Sequence, residues 1–362
     1  MHLTQIALRD FRNYASLLLP LHAGVNVFMG QNAQGKTNVL EAVYLCCLGK
    51  SHRTVRDGEL IRQGQKDAYC GLSLLRPDGP RKVEVLLSHS ERKRIQVSGI
   101  PIKRMAELMG HVQCILFSPE DLLLIKGGPS LRRRYMDASL CQLRPSYFLS
   151  LARYNTALTQ RNALLKRAKP GEDVGALLDA FDVTLSICGA EVIAHRQDFL
   201  RALAPISAAI HRDISGKETL SLQYKCHPQE LQDGVQATLL AALQKSRADD
   251  LRRMTTLCGP HRDDLILNID GKDARVFGSQ GQQRTAALAL KMASAEQMQN
   301  ETGQLPILML DDVFSELDEY RQQALIARIR GQALITTATV VPRRLHADQT
   351  FAVHNGQITA QA

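Results

Sequence analysis

Residues 30–37 carry the chemistry that is easiest to recognise in this chain. They match the phosphate-binding pattern G-x-x-x-x-G-K-[ST] at every fixed position and read Gly30, Gln31, Asn32, Ala33, Gln34, Gly35, Lys36 and Thr37. In such a loop the glycines let backbone N–H groups point at phosphate oxygens, the lysine reaches the β and γ phosphates, and the threonine hydroxyl reaches Mg²⁺. We therefore predict that all eight residues bind a nucleoside triphosphate, with Lys36 as a charge on a surface loop and Thr37 as a metal ligand.

The flanking sequence predicts the elements that position this loop. Residues 25–29 form a short apolar run that is typical of a buried strand, and apolar residues recur at helical spacing over residues 39–47. Strand, glycine turn and helix is the context that a phosphate-binding loop requires. The alternative, an ordinary glycine turn before a helix, is disfavoured because the flanks and the spacing agree.

A second, acidic element is expected beside the phosphates, because the metal must also be held from a neighbouring strand. An apolar run at residues 306–310 ends in Asp311 and Asp312. We predict that Asp311 anchors Mg²⁺, and that Asp312 orients or deprotonates the attacking water, so that both act in catalysis together with Lys36. About 270 residues separate the two elements, more than one compact core would place there, which predicts an insertion.

Sequence patterning predicts an α/β fold class with a mostly helical insertion. Residues 1–128 and 255–362 carry strand and helix patterns, including an antiparallel meander at residues 69–97, and residues 129–254 are mostly helical with a break at Pro170-Gly171. The helical patterns lack the sustained heptads of a long coiled coil. We expect a head built from both chain ends, with an antiparallel β subdomain and a helical second lobe at residues 129–254.

Ser279 stands three residues before Gln282 at the start of a predicted helix, which is the pattern of a capping box. A capped helix N-terminus with Gly281 beside it can bind an anion, and residues 30–37 already supply the phosphate cradle of the same chain. We therefore expect Ser279, Gly281 and Gln282 to contact the nucleotide of a second copy, so that two chains facing head to tail enclose two ATP molecules. An ordinary helix start is the alternative that remains open.

Composition and charge limit the class of protein. The chain has 362 residues, no apolar run as long as a membrane span, and charged residues where a signal peptide would be apolar, so we expect a cytoplasmic protein with no membrane partner. The net charge of +9 is uneven, because residues 1–180 hold 26 Lys and Arg against 15 Asp and Glu, and residues 181–362 hold 19 against 21. This asymmetry favours a polyanionic partner, although a solvated basic surface would look the same.

The eight cysteines form no C-x-x-C pair, and Cys258 with His261 lacks two further ligands, so we expect small buried thiols and no metal cluster.

Together these motifs resemble those of ABC-type ATPases of the SMC/Rad50 class. Longer segments resemble the RecF family of DNA gap-repair proteins over nearly the whole chain; they are Phe11-Arg12-Asn13-Tyr14, residues 30–42, 117–122, 132–137 and 259–264. Within the first of these segments, Arg12 and Asn13 are further candidates for nucleotide binding. The resemblance implies ATP-dependent dimerisation, binding to DNA at single-strand/double-strand junctions, and partnership with RecR and RecO in loading RecA on gapped DNA.

Two departures from the broader ABC pattern bear on the rate of hydrolysis. Asp312 stands where many members carry glutamate, and Thr336-Thr337 stand where transporters usually carry histidine. We therefore expect a weak, DNA-stimulated ATPase that acts as a switch rather than a motor. The alternatives are the ATPase subunit of an ABC transporter, which the helical insertion and the basic first half disfavour, and a P-loop kinase, for which the sequence offers no recognisable acceptor pocket.

Overall fold

The computed structural model describes residues 1–169, 172–228, 234–338 and 341–361, and the break predicted at Pro170-Gly171 lies outside them. Its strands are β1 (His2–Phe11), β2 (Tyr14–Pro20), β3 (Val25–Met29), β4 (Asp67–Arg76), β5 (Gly79–Ser88), β6 (Arg94–Val97), β7 (Ile100–Pro101), β8 (Cys114–Phe117), β9 (Leu220–Lys225), β10 (Asp264–Ile269), β11 (Lys272–Asp273), β12 (Ile307–Asp311), β13 (Ala333–Thr337), β14 (Gln349–His354) and β15 (Gln357–Gln361). Its helices are α1 (Lys36–Leu48), α2 (Leu122–Lys126), α3 (Pro129–Leu143), α4 (Pro145–Arg167), α5 (Gly175–Ser215), α6 (Val235–Lys245), α7 (Arg247–Arg253), α8 (Ala274–Phe277), α9 (Gln280–Thr302) and α10 (Glu319–Ile326).

A central sheet joins the two ends of the chain in the strand order β15-β14-β3-β13-β12-β8. All of its pairings are parallel except that of the edge strand β15. Apolar residues fill β3, β12 and β13, as expected for parallel strands covered on both faces. The carboxyl ends of β3 and β12 therefore lie on either side of the carboxyl end of β13. Ligands bind at this end of the strands in open α/β sheets.

A second, antiparallel sheet has the order β2-β1-β4-β5-β6-β7 and confirms the predicted meander. Helix α1 packs against strands of both sheets, namely β4 and β5 on one side and β8, β12 and β13 on the other. Eleven of its thirteen residues are buried, and its apolar residues surround the axis because both sides of the helix are covered. The phosphate-binding loop is thus anchored to a helix that is enclosed between two sheets.

The region between the two chain ends is mostly helical, as predicted, and contains no long coiled coil among its described residues. Helix α5 spans 41 residues, about 60 Å at the usual rise per residue, and packs against α4, α6, α9 and β9. None of the helices in the described ranges combines the length and the apolar character needed to cross a membrane. The α/β fold class expected from the sequence is confirmed.

A small third sheet connects the helical region to the rest of the fold. Strand β9 pairs with β10 in antiparallel register over six residues, from Leu220 opposite Ile269 to Lys225 opposite Asp264. Arg196 of α5 strengthens the same junction, since it is 2% exposed and donates hydrogen bonds to the Asp137 carboxylate (2.8 Å) and the Pro260 carbonyl (2.8 Å). The domain boundaries expected at residues 128 and 255 stay a prediction. Backbone hydrogen bonds between β9 and β10 cross the second of these boundaries.

His261 lies in this junction as a neutral, fully hydrogen-bonded side chain. Its Nε2 faces the Thr256 carbonyl at 3.0 Å, which can only accept, so Nε2 carries the proton and Nδ1 accepts from the Tyr154 hydroxyl at 2.6 Å. Burial lowers the pKa of His261 to about 4 from its ordinary value of 6.5. All eight cysteines are also buried, as predicted, and burial raises the pKa of thiols such as Cys46 and Cys258.

The neutral imidazole of His261 predicts a loss of stability in mild acid. Between pH 6.5 and 4 the unfolded chain binds a proton at His261 that the folded chain excludes, so this residue lowers the free energy of unfolding by about 2 kcal/mol on going from pH 7 to 5. Urea unfolding of the protein and of His261→Gln at both pH values measures this, and the variant should show the smaller pH dependence. The exposed His346→Gln is the control; equal pH dependence in all three proteins would contradict the assignment.

Candidate nucleotide-binding site

The loop between β3 and α1 is shaped by its glycines and by the residues packed against them. Gly35 has φ of 112°, and a Cβ there would lie 2.5 Å from Nδ2 of Asn13, so both the backbone conformation and the space require glycine. A Cβ on Gly30 would lie 2.3 Å from the Val353 carbonyl oxygen of β14. The strand, glycine turn and helix predicted around residues 30–37 are confirmed.

Lys36 points back across the loop. It is 7% exposed, and its Nζ donates hydrogen bonds to the carbonyl oxygens of Gly30 (2.6 Å) and Gln31 (2.8 Å). Burial lowers the pKa of Lys36, while the carboxylates of Asp312 and Asp311 act in the opposite direction. The expectation that Lys36 is a charge on a surface loop is therefore wrong, because the fold covers the stem of the side chain.

Thr37 and Asp311 meet although 274 positions separate them in the sequence. The Thr37 hydroxyl donates a 2.8 Å hydrogen bond to Oδ1 of Asp311, and the buried Thr336 hydroxyl donates to the same oxygen at 2.7 Å. A hydroxyl and a carboxylate oxygen side by side, next to a phosphate cradle, are the donor set that Mg²⁺ takes when waters and phosphates complete its shell. These residues fit the metal that the sequence predicts.

Asp312 leaves the strand in a left-handed backbone conformation, with φ of 51°. Its N–H donates to the hydroxyl (3.0 Å) and the carbonyl (3.1 Å) of Thr336, and its Oδ1 accepts from the N–H of Ala338 at 3.4 Å. Thr336 thus holds both acidic residues. Asp312 remains partly exposed at the edge of the sheet that also carries the loop.

Of the two candidates after β1, Asn13 lies against the loop and Arg12 turns away from it. Nδ2 of Asn13 donates to the Gln34 carbonyl at 2.9 Å. Arg12 forms a two-point ion pair with Glu41 of α1 (2.9 and 2.7 Å) and donates to the Glu59 carbonyl at 2.8 Å. The structure therefore places Asn13 beside the loop at residues 30–37, whereas Arg12 pairs with Glu41 in α1.

Glu41 is a residue that sequence reasoning missed. It is fully buried in α1, and besides Arg12 it accepts hydrogen bonds from the Ser51 hydroxyl (2.5 Å) and from Arg53 (3.4 Å). Burial alone would raise the pKa of Glu41, but these donors outweigh it and lower the pKa. An acidic residue inside an otherwise apolar helical run was the signal that could have identified it.

The C-terminal hairpin supports the loop from the other side. The N–H of Asn355 donates to Oε1 of Gln34 at 2.7 Å, and the N–H of Gly356 donates to the Gln34 carbonyl at 3.2 Å. No motif in the sequence indicates that the turn at these two residues contacts residue 34. Backbone donors far along the chain therefore fix the shape of the loop.

The capping box predicted at Ser279 is confirmed. Ser279 is exposed and is the N-cap of α9; its N–H donates to Oε1 of Gln282 (2.8 Å), and the Gln282 N–H donates to its hydroxyl (3.2 Å). Within the described ranges, no hydrogen bond or ion pair joins residues 279–282 to residues 30–37 of the same chain. The structure thus brings Lys36, Thr37, Asp311, Asp312 and Asn13 together and leaves Ser279, Gly281 and Gln282 outside this group.

Known proteins share both the fold and the sequence of this chain. A family model described as the RecF/RecN/SMC N terminal domain matches residues 2–357. The DNA replication and repair protein RecF of Clostridium novyi (strain NT) is 39% identical over 363 residues, which cover 99% of either chain. RecF of Alkaliphilus oremlandii (strain OhILAs) is 40% identical over 367 residues, which cover 99% of this chain and 100% of that one.

Among solved structures, the recombination mediator protein RecF with ATP, in the RecFOR pathway, has a TM-score of 0.93 and 36% identity, covering 100% of this chain and 98% of that chain. An Smc head bound to the C-winged helix domain of ScpA has a TM-score of 0.59 at 15% identity, covers 100% of this chain and 98% of that one, and shows the shared fold alone. Fold and motifs define the class of SMC-type ATPase heads. Within that class, the chain belongs to the RecF family of DNA replication and repair proteins, and the transporter alternative receives no support.

The buried Glu41 cluster predicts a large effect of a small change. Glu41→Gln removes the buried charge that faces Arg12 and Arg53, and should lower the free energy of unfolding by roughly 2 kcal/mol, because the two-point charged hydrogen bond from the partly exposed Arg12 guanidinium is weakened. Chemical denaturation measures the change. Glu59→Gln is the matched control and should have a slight effect, because the Glu59 carboxylate is half-exposed and pairs with Arg56, while Arg12 contacts only the backbone carbonyl of Glu59. Equal effects of the two substitutions would show that Glu41 is not the centre of the cluster.

Proposed function

We propose that the protein is an ATP-dependent DNA-binding protein of recombinational gap repair. ATP binding drives head-to-tail dimerisation on DNA, slow hydrolysis releases the dimer, and the cycle helps to load RecA at single-strand/double-strand junctions. The observation that carries this proposal is the division of the candidate residues into two groups. The loop, Thr37 and Asp311 form one half of a nucleotide site, and the exposed N-terminus of α9 is available to complete the site of a second copy.

The chemistry follows from the positions of the side chains. The backbone N–H groups of the loop and Nζ of Lys36 bind the phosphates, and Thr37 with Asp311 would hold Mg²⁺. When bound, Mg²⁺ would neutralise charge that develops on the phosphate oxygens. Asp312, held at the sheet edge by Thr336, orients the attacking water. Because an aspartate reaches less far than the glutamate found in many ABC proteins, turnover is slow.

A shared site explains why the nucleotide controls association. Each ATP would contact the loop of one chain and the Ser279 end of α9 of the other, so dimerisation requires both nucleotides. Ser279, Gly281 and Gln282 supply a hydroxyl, a glycine backbone and a positive helix end, which suit a terminal phosphate. Hydrolysis removes that phosphate and therefore weakens the contact. A two-lobed arrangement, with residues 1–128 and 255–362 as the head and 129–254 as the second lobe, is part of this proposal.

DNA and the partner proteins are proposed from charge and from the relatives. The excess of basic residues in the first half of the chain suits a polyanion. One solved relative is described as the recombination mediator protein RecF with ATP in the RecFOR pathway, which supports RecR and RecO as partners and ATP as the nucleotide. We place this activity in the cytoplasm, with RecA as the protein that is loaded.

Dimerisation should depend on Lys36. Lys36→Met keeps the buried stem of the side chain but removes the charge that binds phosphate, so the protein should stay folded and lose its ATP-dependent dimer. Mass in solution, measured with and without ATP and gapped duplex, together with thermal unfolding, reports on both. The exposed Lys126→Met is the matched control. Lys36→Met dimers of normal affinity, formed only with ATP, would refute the role of this residue.

The two aspartates should give opposite results. Asp312→Asn should slow ATP hydrolysis by a factor of about 10² or more and prolong the life of the ATP-bound dimer, because the group that orients water is neutralised. Asp311→Asn should instead weaken the dimer, since it removes a metal ligand. Hydrolysis rates and dimer lifetimes distinguish the two variants. Unchanged turnover in Asp312→Asn would remove that residue from the catalytic step.

Binding to DNA should weaken steeply as salt is added. If about six phosphates are neutralised, affinity for gapped duplex should fall about 10³-fold between about 50 and 200 mM salt, because counterions are released on binding. A titration of fluorescent gapped duplex at several salt concentrations, with ATP present, measures the slope. A flat response would exclude DNA as the main polyanionic partner.

A further inference from the structure

The side-chain amide of Gln282 is held at both ends. Its Oε1 accepts a hydrogen bond from the N–H of Ser279 at 2.8 Å, and its Nε2 donates to Oε1 of Glu218 at 2.8 Å. An ionised carboxylate can only accept hydrogen bonds, so the nitrogen end of the amide must face Glu218 and the oxygen end must face Ser279. The Glu218 carboxylate therefore selects the same amide orientation as the Ser279 N–H, the one that completes the capping box.

Glu218 is itself fixed by the segment that joins α5 to β9. Its N–H donates to the Ser215 hydroxyl at 3.2 Å, and its Oε2 lies 3.8 Å from Nε2 of the fully buried His211. The next residue, Thr219, exchanges hydrogen bonds with Asp270, donating at 2.9 Å and accepting at 3.0 Å. The Glu218 carboxylate, which is one-quarter exposed, therefore projects from a position that is anchored on both sides.

A second contact steadies the same helix end from α10. Arg321 donates to the Gly281 carbonyl at 3.1 Å and to the Thr285 hydroxyl at 2.8 Å, and pairs with Asp318. These bonds hold the backbone of the first turn, but they do not touch the amide that caps Ser279. Of these two contacts, the one through Glu218 acts on the capping side chain itself.

We propose that Glu218 is a positioning residue for the nucleotide of the second copy. By orienting the Gln282 amide, it keeps the Ser279 backbone capped and the Ser279 hydroxyl in place at the exposed end of α9. The inference rests on the proposed shared site and names a residue outside the motif on which that site depends. Because Glu218 lies three residues beyond the end of α5 at Ser215, one carboxylate connects this 41-residue helix to the surface that would receive the partner's phosphates.

Three substitutions at this position separate the contributions of charge and of hydrogen bonding. Glu218→Ala removes the acceptor, and Glu218→Lys favours the reversed amide, with two donors facing each other at Ser279. Glu218→Gln keeps an acceptor for Nε2 of Gln282 and serves as the conservative rescue. Asp213→Ala is the matched control, because Asp213 is an exposed carboxylate of the same helix end that pairs with Arg328 and not with α9.

Dimer affinity with ATP and nucleotide binding to the monomer are the two readouts. Glu218→Ala and Glu218→Lys should weaken the ATP-dependent dimer about tenfold or more, as expected for one lost hydrogen bond to a charged group, whereas Glu218→Gln should stay within about threefold. Binding of ATP to the monomer's own loop should not change, which a general loss of structure would not allow. Normal dimers in Glu218→Ala, or equal weakening in Asp213→Ala, would overturn the proposal.

A double-mutant cycle tests the route through Gln282. In a Gln282→Ala background, Glu218→Ala should have no further effect, because the amide that it orients is absent. Additive effects would show that Glu218 acts by another route and would overturn the proposal. Ser279→Arg separates this inference from the proposed function. If Ser279→Arg abolishes the dimer and Glu218 variants behave normally, only the positioning role fails; if Ser279→Arg dimerises normally, the shared site fails as well.

Discussion

The hydrogen bond between Thr37 and Asp311 is the constraint on which the rest of the structure depends. It joins the first turn of α1 to the end of β12 across 274 positions, at 2.8 Å. For these atoms to meet, β3 and β12 must both lie beside β13, so both ends of the chain must enter one parallel sheet. The long helical region between them therefore has to leave the sheet and return to it, which explains the sheet formed by β9 and β10 at the return point.

Local patterns in the sequence predicted the elements of the site and most of their boundaries. Each of these elements depends on residues that are close together in the chain, so it can be recognised from the local sequence alone. They are the loop at residues 30–37, the strand ending at Asp311 and the capping box at Ser279. The contacts of Glu41 and the bond from Asn355 to Gln34 were not predictable. Asn355 and Gln34 are 321 positions apart, and Arg12 and Glu41 are 29 apart, so no local pattern reports either contact.

The separation of the candidate residues into two groups supports the proposal that two chains share each nucleotide site. Residues 30–37 are enclosed by α1, by Asn13 and by the C-terminal hairpin, so their shape is set within the chain. Ser279 is likewise held by its hydrogen bonds to Gln282. It lies on an exposed end of α9 that makes no hydrogen bond to residues 30–37 within the described residues. Two separate groups of candidate residues on one molecule support the proposal that a nucleotide links two molecules. The chain belongs to the RecF family of DNA replication and repair proteins.

Site-directed crosslinking tests this central claim most directly. Asn32 and Gln280 are exposed residues at the two half-sites, and all eight native cysteines are buried, so cysteines introduced at these positions should react selectively with a short bifunctional thiol reagent. A mixture of Asn32→Cys and Gln280→Cys proteins should give a crosslinked dimer with ATP and none without nucleotide, and neither variant alone should give one. Absence of this mixed crosslink with ATP, or its formation without nucleotide, would contradict a site shared between two chains.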